Sequence, residues 1–179
     1  GLRMMKEASD RGHSATIITN SLASTDEPLV HRAYSRSRAQ ILKLGMQLYE
    51  FSPTLTRRSM RFGNFGTSLS RLHAKAAMVD RRWLVVGSVN LDARSAIYNT
   101  ELGVVIDCPP LTEQAVQLLA SDDYGSMYQL RLAPDGETVQ WWTTDNAGRN
   151  TVITEEPGAS LLQDVVLWFQ SLFVDDTSL

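Results

Sequence analysis

The chain has 179 residues, 43% of them hydrophobic and 21% charged, with a formal net charge of −3. That length supports one domain with a proper core, and the acidic balance leaves no basic footprint for nucleic acid. No run reaches the roughly 20 apolar residues of a membrane span, no signal peptide is legible, and the single cysteine, Cys108, excludes an internal disulfide and suits a reducing compartment.

The chain opens at Gly1 without an initiator methionine and runs directly into a helical pattern, which reads as a fragment. Leu2 to Asp10 is predicted as a helix end, stopped by Gly12. Ala15 to Thr19 reads as a short strand. Leu29 to Leu44 reads as one helix ended by Gly45, and Met46 to Phe51 as a strand closed by Pro53. Thr54 to Arg71 is long for a connection inside a compact domain, which marks a functional or mobile loop. It carries Arg57, Arg58, Arg61 and Arg71 with Phe62 and Phe65. Such a mixture suits an anionic lipid surface, or equally a solvated loop against a partner domain.

HAKAAMVDRRWLVVGSVN follows, from His73 to Asn90. Its first half alternates with a period of two, so His73 and Lys75 share one strand face. Asp80-Arg81-Arg82 reads as a tight turn, with Asp80 structural. Trp83 to Val86 is apolar throughout and reads as a strand buried on both faces. Ser88 and Asn90 are again two apart. If the two strands pair antiparallel, an imidazole, an ammonium, a hydroxyl and an amide converge on one spot. That set suits a phosphate ester: Lys75, Ser88 and Asn90 hold anionic oxygens while His73 supplies a nucleophile or a proton. Lys75 is expected to be buried beside His73, where an anion is its natural partner.

Further on, Glu101 to Asp107 reads as a strand and Leu111 to Ala120 as a helix after Pro109-Pro110. Met127 to Leu132, Thr138 to Thr143 and Asn150 to Glu155 read as a small antiparallel meander, with turns at Asp135-Gly136 and Asn146-Ala147-Gly148. Leu161 to Phe173 closes the chain as an apolar helix. Trp141-Trp142 suits either a membrane interface or the cover of the meander's core. His13 and His31 have no partners at useful spacing and read as structural. Alternation of strand and helix makes the fold class α/β, a mixed sheet flanked by helices with the meander and helix at the C-terminus. No metal-ligand cluster is legible, and no cofactor is called for.

His73-x-Lys75, Asp80 after four residues, then Gly87-Ser88-x-Asn90 after six more, resembles the HKD signature of the phospholipase D superfamily. The flanks extend the resemblance: Thr19 to Asp26 and Val30-His31-Arg32-Ala33-Tyr34 before the motif, Asn90-Leu91-Asp92-Ala93-Arg94-Ser95 and Asn99-Thr100-Glu101-Leu102-Gly103 after it. Together they are similar to the C-terminal half of bacterial cardiolipin synthases, most closely the C kind, over about residues 1–131. Ala93 departs from the proline usual there, which touches loop shape and not chemistry.

The resemblance implies one phospholipase D-like domain over residues 1–179, with about residues 126–179 forming the meander and helix packed on it. It implies an enzyme that transfers phosphatidyl groups between phospholipid and an alcohol through a phosphohistidine, without metal. His73, Lys75, Asn90 and Glu101 are the implied catalytic residues. Glu101 would fix a histidine's second nitrogen and stabilise the imidazolium. The implied mechanism needs two such motifs and the chain holds one. Its partner is therefore an N-terminal half of the same protein or a homodimer mate, and the former makes His73 the general acid/base. The implied location is cytoplasmic, peripheral at the inner face of the cell membrane. Other readings are a phosphodiesterase acting on nucleic acid, against which the acidic balance weighs, and a non-catalytic scaffold or membrane-binding domain, which has no need of the His73–Glu101 constellation.

Overall fold

The computed structural model describes residues 1–25, 28–52, 55, 73–90, 99–121, 127–144 and 148–159. In chain order the elements are α1 Leu2–Asp10, β1 Thr16–Asn20, α2 Pro28–Ser35, α3 Arg38–Lys43 and β2 Gln47–Phe51. Then come β3 Lys75–Val79, β4 Trp83–Gly87, β5 Gly103–Asp107, α4 Pro109–Ser121, β6 Met127–Leu132, β7 Val139–Thr144 and β8 Asn150–Ile153. They form two compact units. One is built before His73 and again from Met127 onward; the other runs from His73 to Tyr124.

The first unit is a five-stranded mixed sheet in the order β1-β2-β6-β7-β8. β1 and β2 run parallel, joined through α2 and α3, since a parallel pair needs a crossover rather than a hairpin. The three C-terminal strands form an antiparallel meander, as their spacing predicts, and β6 adds it to this same sheet by pairing with β2, Leu48 opposite Leu130 and Glu50 opposite Tyr128. Alternation places Leu48, Leu130 and Trp141 on one face, where they pack with Ile41, Met46, Leu55 and Tyr128. Leu2, Met5 and Ala8 of α1 close over this core.

The single helix expected over residues 29–44 is two. It breaks at Ser35–Ser37, where the Ser35 hydroxyl donates to the Arg32 carbonyl at 2.8 Å; a serine that bonds nearby backbone in this way competes with helix continuation. After the break, Arg38 and Ile41 both lie buried. The serines of Asn20-Ser21-Leu22-Ala23-Ser24 tie off the parallel strands. Ser21 N–H donates to the Phe51 carbonyl at 3.1 Å and the Ser24 hydroxyl donates to the same oxygen at 2.8 Å.

A polar cluster lies inside this apolar unit. Glu50 on β2 is fully buried. Its carboxylate accepts from Arg38 Nε at 2.7 Å, from the Tyr34 hydroxyl at 2.9 Å and from Trp141 Nε1 at 2.8 Å. Arg38 Nη2 reaches on to Glu156 Oε1 at 2.6 Å, and His31 Nε2 lies 2.7 Å from that same oxygen. The guanidinium also sits 5.0 Å over the Tyr34 ring and 5.2 Å over that of Trp141. Thus His31 is buried and has two partners among the described residues, Arg38 Nη2 at 2.8 Å, seven residues on, and Glu156, 125 residues away. Trp141 belongs to the core, while Trp142 is half-buried beneath Arg131, whose guanidinium is 4.7 Å from the ring centre.

Burial raises the Glu156 carboxyl, but hydrogen bonds from His31 and Arg38 and the charge of Arg38 outweigh it and bring its pKa to about 2. A carboxylate depressed in the folded state contributes stability that is full above its unfolded pKa near 4.5 and is lost as pH falls toward about 2. Denaturant unfolding between pH 5 and pH 2 should therefore show a loss on the order of 3 kcal/mol from this group. Glu156→Gln should flatten that part of the acid limb, and an acid limb identical to wild type would remove Glu156 from the account.

The second unit is a three-stranded antiparallel sheet, β3-β4-β5, with α4 packed on β3 and β4. Helix α4 starts on Pro109-Pro110, which supply the fixed φ of a first turn and lack donors that would go unused there. It is tied to the hairpin through Thr112, whose hydroxyl donates to the Arg82 carbonyl at 3.0 Å. Strand β4 differs from expectation. Leu84 is buried, but Trp83 and Val86 are exposed, because among the described residues α4 covers only part of this sheet.

Candidate active site

The β3–β4 hairpin sets the geometry. Its turn is Val79-Asp80-Arg81-Arg82, closed by Arg82 N–H donating to the Val79 carbonyl at 3.0 Å. Both central residues are left-handed, Asp80 at φ 52° and Arg81 at φ 53°. Three residues, Asp80 to Arg82, separate the paired Val79 and Trp83, and aspartate tolerates the left-handed conformation better than most residues. Asp80 therefore sits at the first central position of the turn and fixes the register that follows. Arg81 is held by two 2.8 Å bonds to Glu113, and Arg82 by bonds of 2.8 and 2.7 Å to Asp107.

From this turn the register runs Val79 opposite Trp83, Ala77 opposite Val85 and Lys75 opposite Gly87. His73 precedes β3 by two residues, on the side of Lys75. The Lys75 ammonium lies 3.2 Å from His73 Nδ1 and 3.3 Å from Nε2, and donates to the His73 carbonyl at 3.1 Å. Lys75 is half-buried, not buried as expected, and His73 is exposed. The reason is topological: both sit where the edge strand β3 begins. The ammonium is left accessible to an anion.

Ser88 begins one residue past the Lys75–Gly87 pair, and its partners lie on the third strand's side. Its hydroxyl donates to Glu101 Oε2 through a short hydrogen bond and accepts from Leu102 N–H at 3.1 Å. Its own N–H donates to the Leu102 carbonyl at 2.9 Å. Asn99 Nδ2 donates to the other Glu101 oxygen at 3.3 Å. Glu101 is half-buried and stands just ahead of β5, which starts at Gly103 and not at Glu101. Asn90 is exposed, two residues beyond Ser88.

The structure thus brings His73 to Lys75, and Ser88 to Glu101. Among the described residues His73 bonds only Lys75, and the two pairs do not bond each other. Asn99 and Leu102 are partners the sequence reading left without a role, although both stand in the Asn99 to Gly103 stretch that carries the resemblance. The Arg57 to Arg71 loop, Ala93 and the Leu161 to Phe173 segment lie outside the described residues. Among the described residues no group of three or more His, Cys, Asp or Glu is placed to hold a metal ion. No helix among them is long and apolar enough to cross a membrane.

Residues 2–122 match the family model described as cardiolipin synthase, PLD-like domain. Cardiolipin synthase C of Escherichia coli (strain K12) is 34% identical over 173 residues, covering 96% of this chain and 35% of that protein. Cardiolipin synthase A of Proteus mirabilis (strain HI4320) is 36% identical over 100 residues, covering 56% of this chain and 17% of that protein. An uncharacterized protein of Helicobacter pylori (strain ATCC 700392 / 26695) is 35% identical over 113 residues, covering 63% of this chain and 22% of that protein. The chain spans about a third or less of the length of these relatives. Among solved structures, the phospholipase D family member Nuc from Salmonella typhimurium aligns with a TM-score of 0.39 at 15% identity, over 73% of this chain and 90% of that one.

Proposed function

This chain belongs to the cardiolipin synthase, phospholipase D-like family, and from that premise we propose that it supplies one of two half-sites for phosphatidyl transfer between a phospholipid and an alcohol. The observation that carries the proposal is the accessible Lys75 ammonium against the His73 ring, one residue in register from Ser88. Both units are read as parts of one phospholipase D-like half. The other half is an N-terminal segment of the same protein, or a second copy of the chain.

In this reading one histidine attacks phosphorus. The P–O bond to the leaving alcohol breaks as the second histidine gives that oxygen a proton, and a phosphohistidine remains. The second histidine, now neutral, takes the proton of an incoming alcohol, whose oxygen displaces the first histidine and restores both rings. His73 is assigned the acid/base part. Lys75 and Asn90 hold the non-bridging oxygens, with Lys75 neutralising charge. Ser88 completes that oxygen-binding edge, and Glu101 orients it. Because Glu101 bonds Ser88 while Lys75 occupies the His73 ring, the imidazolium that Glu101 would stabilise is that of the other half-site. The whole protein would work peripherally at the inner face of the cell membrane.

The test is incubation of the full-length protein with phosphatidylglycerol vesicles, followed by lipid analysis and an acid-labile label trap for the phosphohistidine. A diphosphatidyl product supports transfer, and phosphatidic acid alone would indicate hydrolysis. Intact lipid and no trapped label would overturn the reading.

A further inference from the structure

We infer that Gly87 is a positioning residue of this site: its missing side chain lets β5 close onto β4 and so places Glu101 on Ser88. The inference rests on the phosphatidyl-transfer reading for its kinetic consequence and on the fold alone for its geometry.

Gly87 is the last residue of β4 and pairs with Lys75 on one side and Gly103 on the other. A Cβ added there would lie 2.5 Å from the Leu102 carbonyl oxygen, 2.9 Å from Gly103 Cα and 3.3 Å from the Leu102 carbonyl carbon. All three are backbone atoms, of Leu102 just ahead of β5 and of Gly103 at its start, so no rotamer change relieves them. Ordinary contact begins near 3.4 Å, and the Leu102 peptide would have to retreat by about 1 Å, a displacement on the scale that costs a positioned site about 100-fold.

Leu102 is also the residue that carries the site. Its carbonyl accepts from Ser88 N–H, its N–H donates to the Ser88 hydroxyl, and Glu101 immediately before it receives that hydroxyl. One residue therefore bears both the clash a side chain at 87 would create and the bonds that align Ser88 with Glu101. The requirement is one-sided. A Cβ on Gly103, directly opposite, would meet nothing closer than the Val86 carbonyl at 4.0 Å. Gly103 is thus an internal control at the same pair in the sheet.

The experiment compares Gly87→Ala and Gly103→Ala in the full-length protein. The first readout is amide hydrogen exchange, which does not depend on turnover. In Gly87→Ala the amides of Ser88 and Leu102 should exchange about tenfold faster or more with Ala77 in β3 unchanged, whereas Gly103→Ala should leave all three as in wild type. The second readout is turnover of phosphatidylglycerol vesicles. Gly87→Ala should lower kcat about 100-fold with KM within about twofold. Combined with Glu101→Gln it should lose little more than the worse single change, because both act through one contact. Equal behaviour of the two alanine variants, or multiplicative losses in the double variant, would overturn the inference. If Gly87→Ala does not fold, Ser88→Ala reads the same coupling. It should release the Leu102 amide about tenfold without touching Ala77, and an unmoved Leu102 amide refutes the inference. A wild-type protein with no phospholipid turnover would sink the functional reading only, and the exchange results would still decide the role of Gly87.

Discussion

His73→Ala in the full-length protein is expected to lower phosphatidyl transfer about 100- to 10,000-fold, the usual cost of removing a group that moves the proton in the rate-limiting step. Among the described residues the ring has no structural duty that would confuse the result. It is exposed, and its side-chain partner among the described residues is Lys75. Folding should therefore survive the substitution. The loss should fall on kcat more than on KM, because Lys75 and Asn90, the proposed holders of the phosphate, remain. If His73 is the acid and not the nucleophile, the label trap adds a second distinction. A substrate with a good leaving group needs little protonation, so the variant should still form the phosphohistidine from it. Wild-type rates in the variant would remove His73 from the chemistry; complete loss of trapped label with every substrate would move it to the nucleophile's role.

Arg38→Ala is expected to cost the fold about 3–5 kcal/mol, the range for breaking a buried ion pair by removing one partner. Arg38 and Glu50 are both buried, and Arg38 links Glu50 to Glu156. Without the guanidinium, Glu50 keeps, among the described residues, the Tyr34 hydroxyl and Trp141 Nε1 as its donors. The stability of a typical domain is only about 5–15 kcal/mol, so such a change takes a large share of it. Urea unfolding followed by tryptophan fluorescence measures the loss, Trp141 being inside the cluster. Arg38→Leu with Glu50→Leu should be less damaging than the sum of the singles, because the pair leaves together. A loss below 1 kcal/mol on Arg38→Ala would mean that Glu50 is not held by its charge.

Much of the local structure was legible because its causes are local. Period-two alternation located β3, an apolar run after the Asp80 turn located β4, the turn signals located β6, and the segment after Pro109-Pro110 located α4, each within a few residues. The motif spacing was legible for the same reason: two residues per repeat put His73 and Lys75 on one side of a strand whatever surrounds it. What the reading misjudged is where environment decides. Lys75 is expected to be buried beside His73, and Trp83 to Val86 to be buried on the strength of their apolar run, yet exposure depends on which elements cover the sheet. The break after Ser35 was missed, since a continuous helical pattern carries no sign that Arg38 must turn inward to a strand residue.

By itself the sequence determined that the chain is α/β, that a hairpin turns at Asp80, and that an imidazole, an ammonium, a hydroxyl and an amide stand at spacings suited to a phosphate ester. Only the tertiary structure decided who bonds whom. The pairing of β5 with β4 delivers Glu101 to Ser88 and leaves His73 with Lys75, and the addition of β6 to β2 closes a buried cluster spanning His31 to Glu156. The physical reason is range. Strand periodicity is set by the backbone within a few residues, whereas a hydrogen bond between side chains 13 or 125 residues apart exists only when strand register and helix packing bring both ends within about 3 Å.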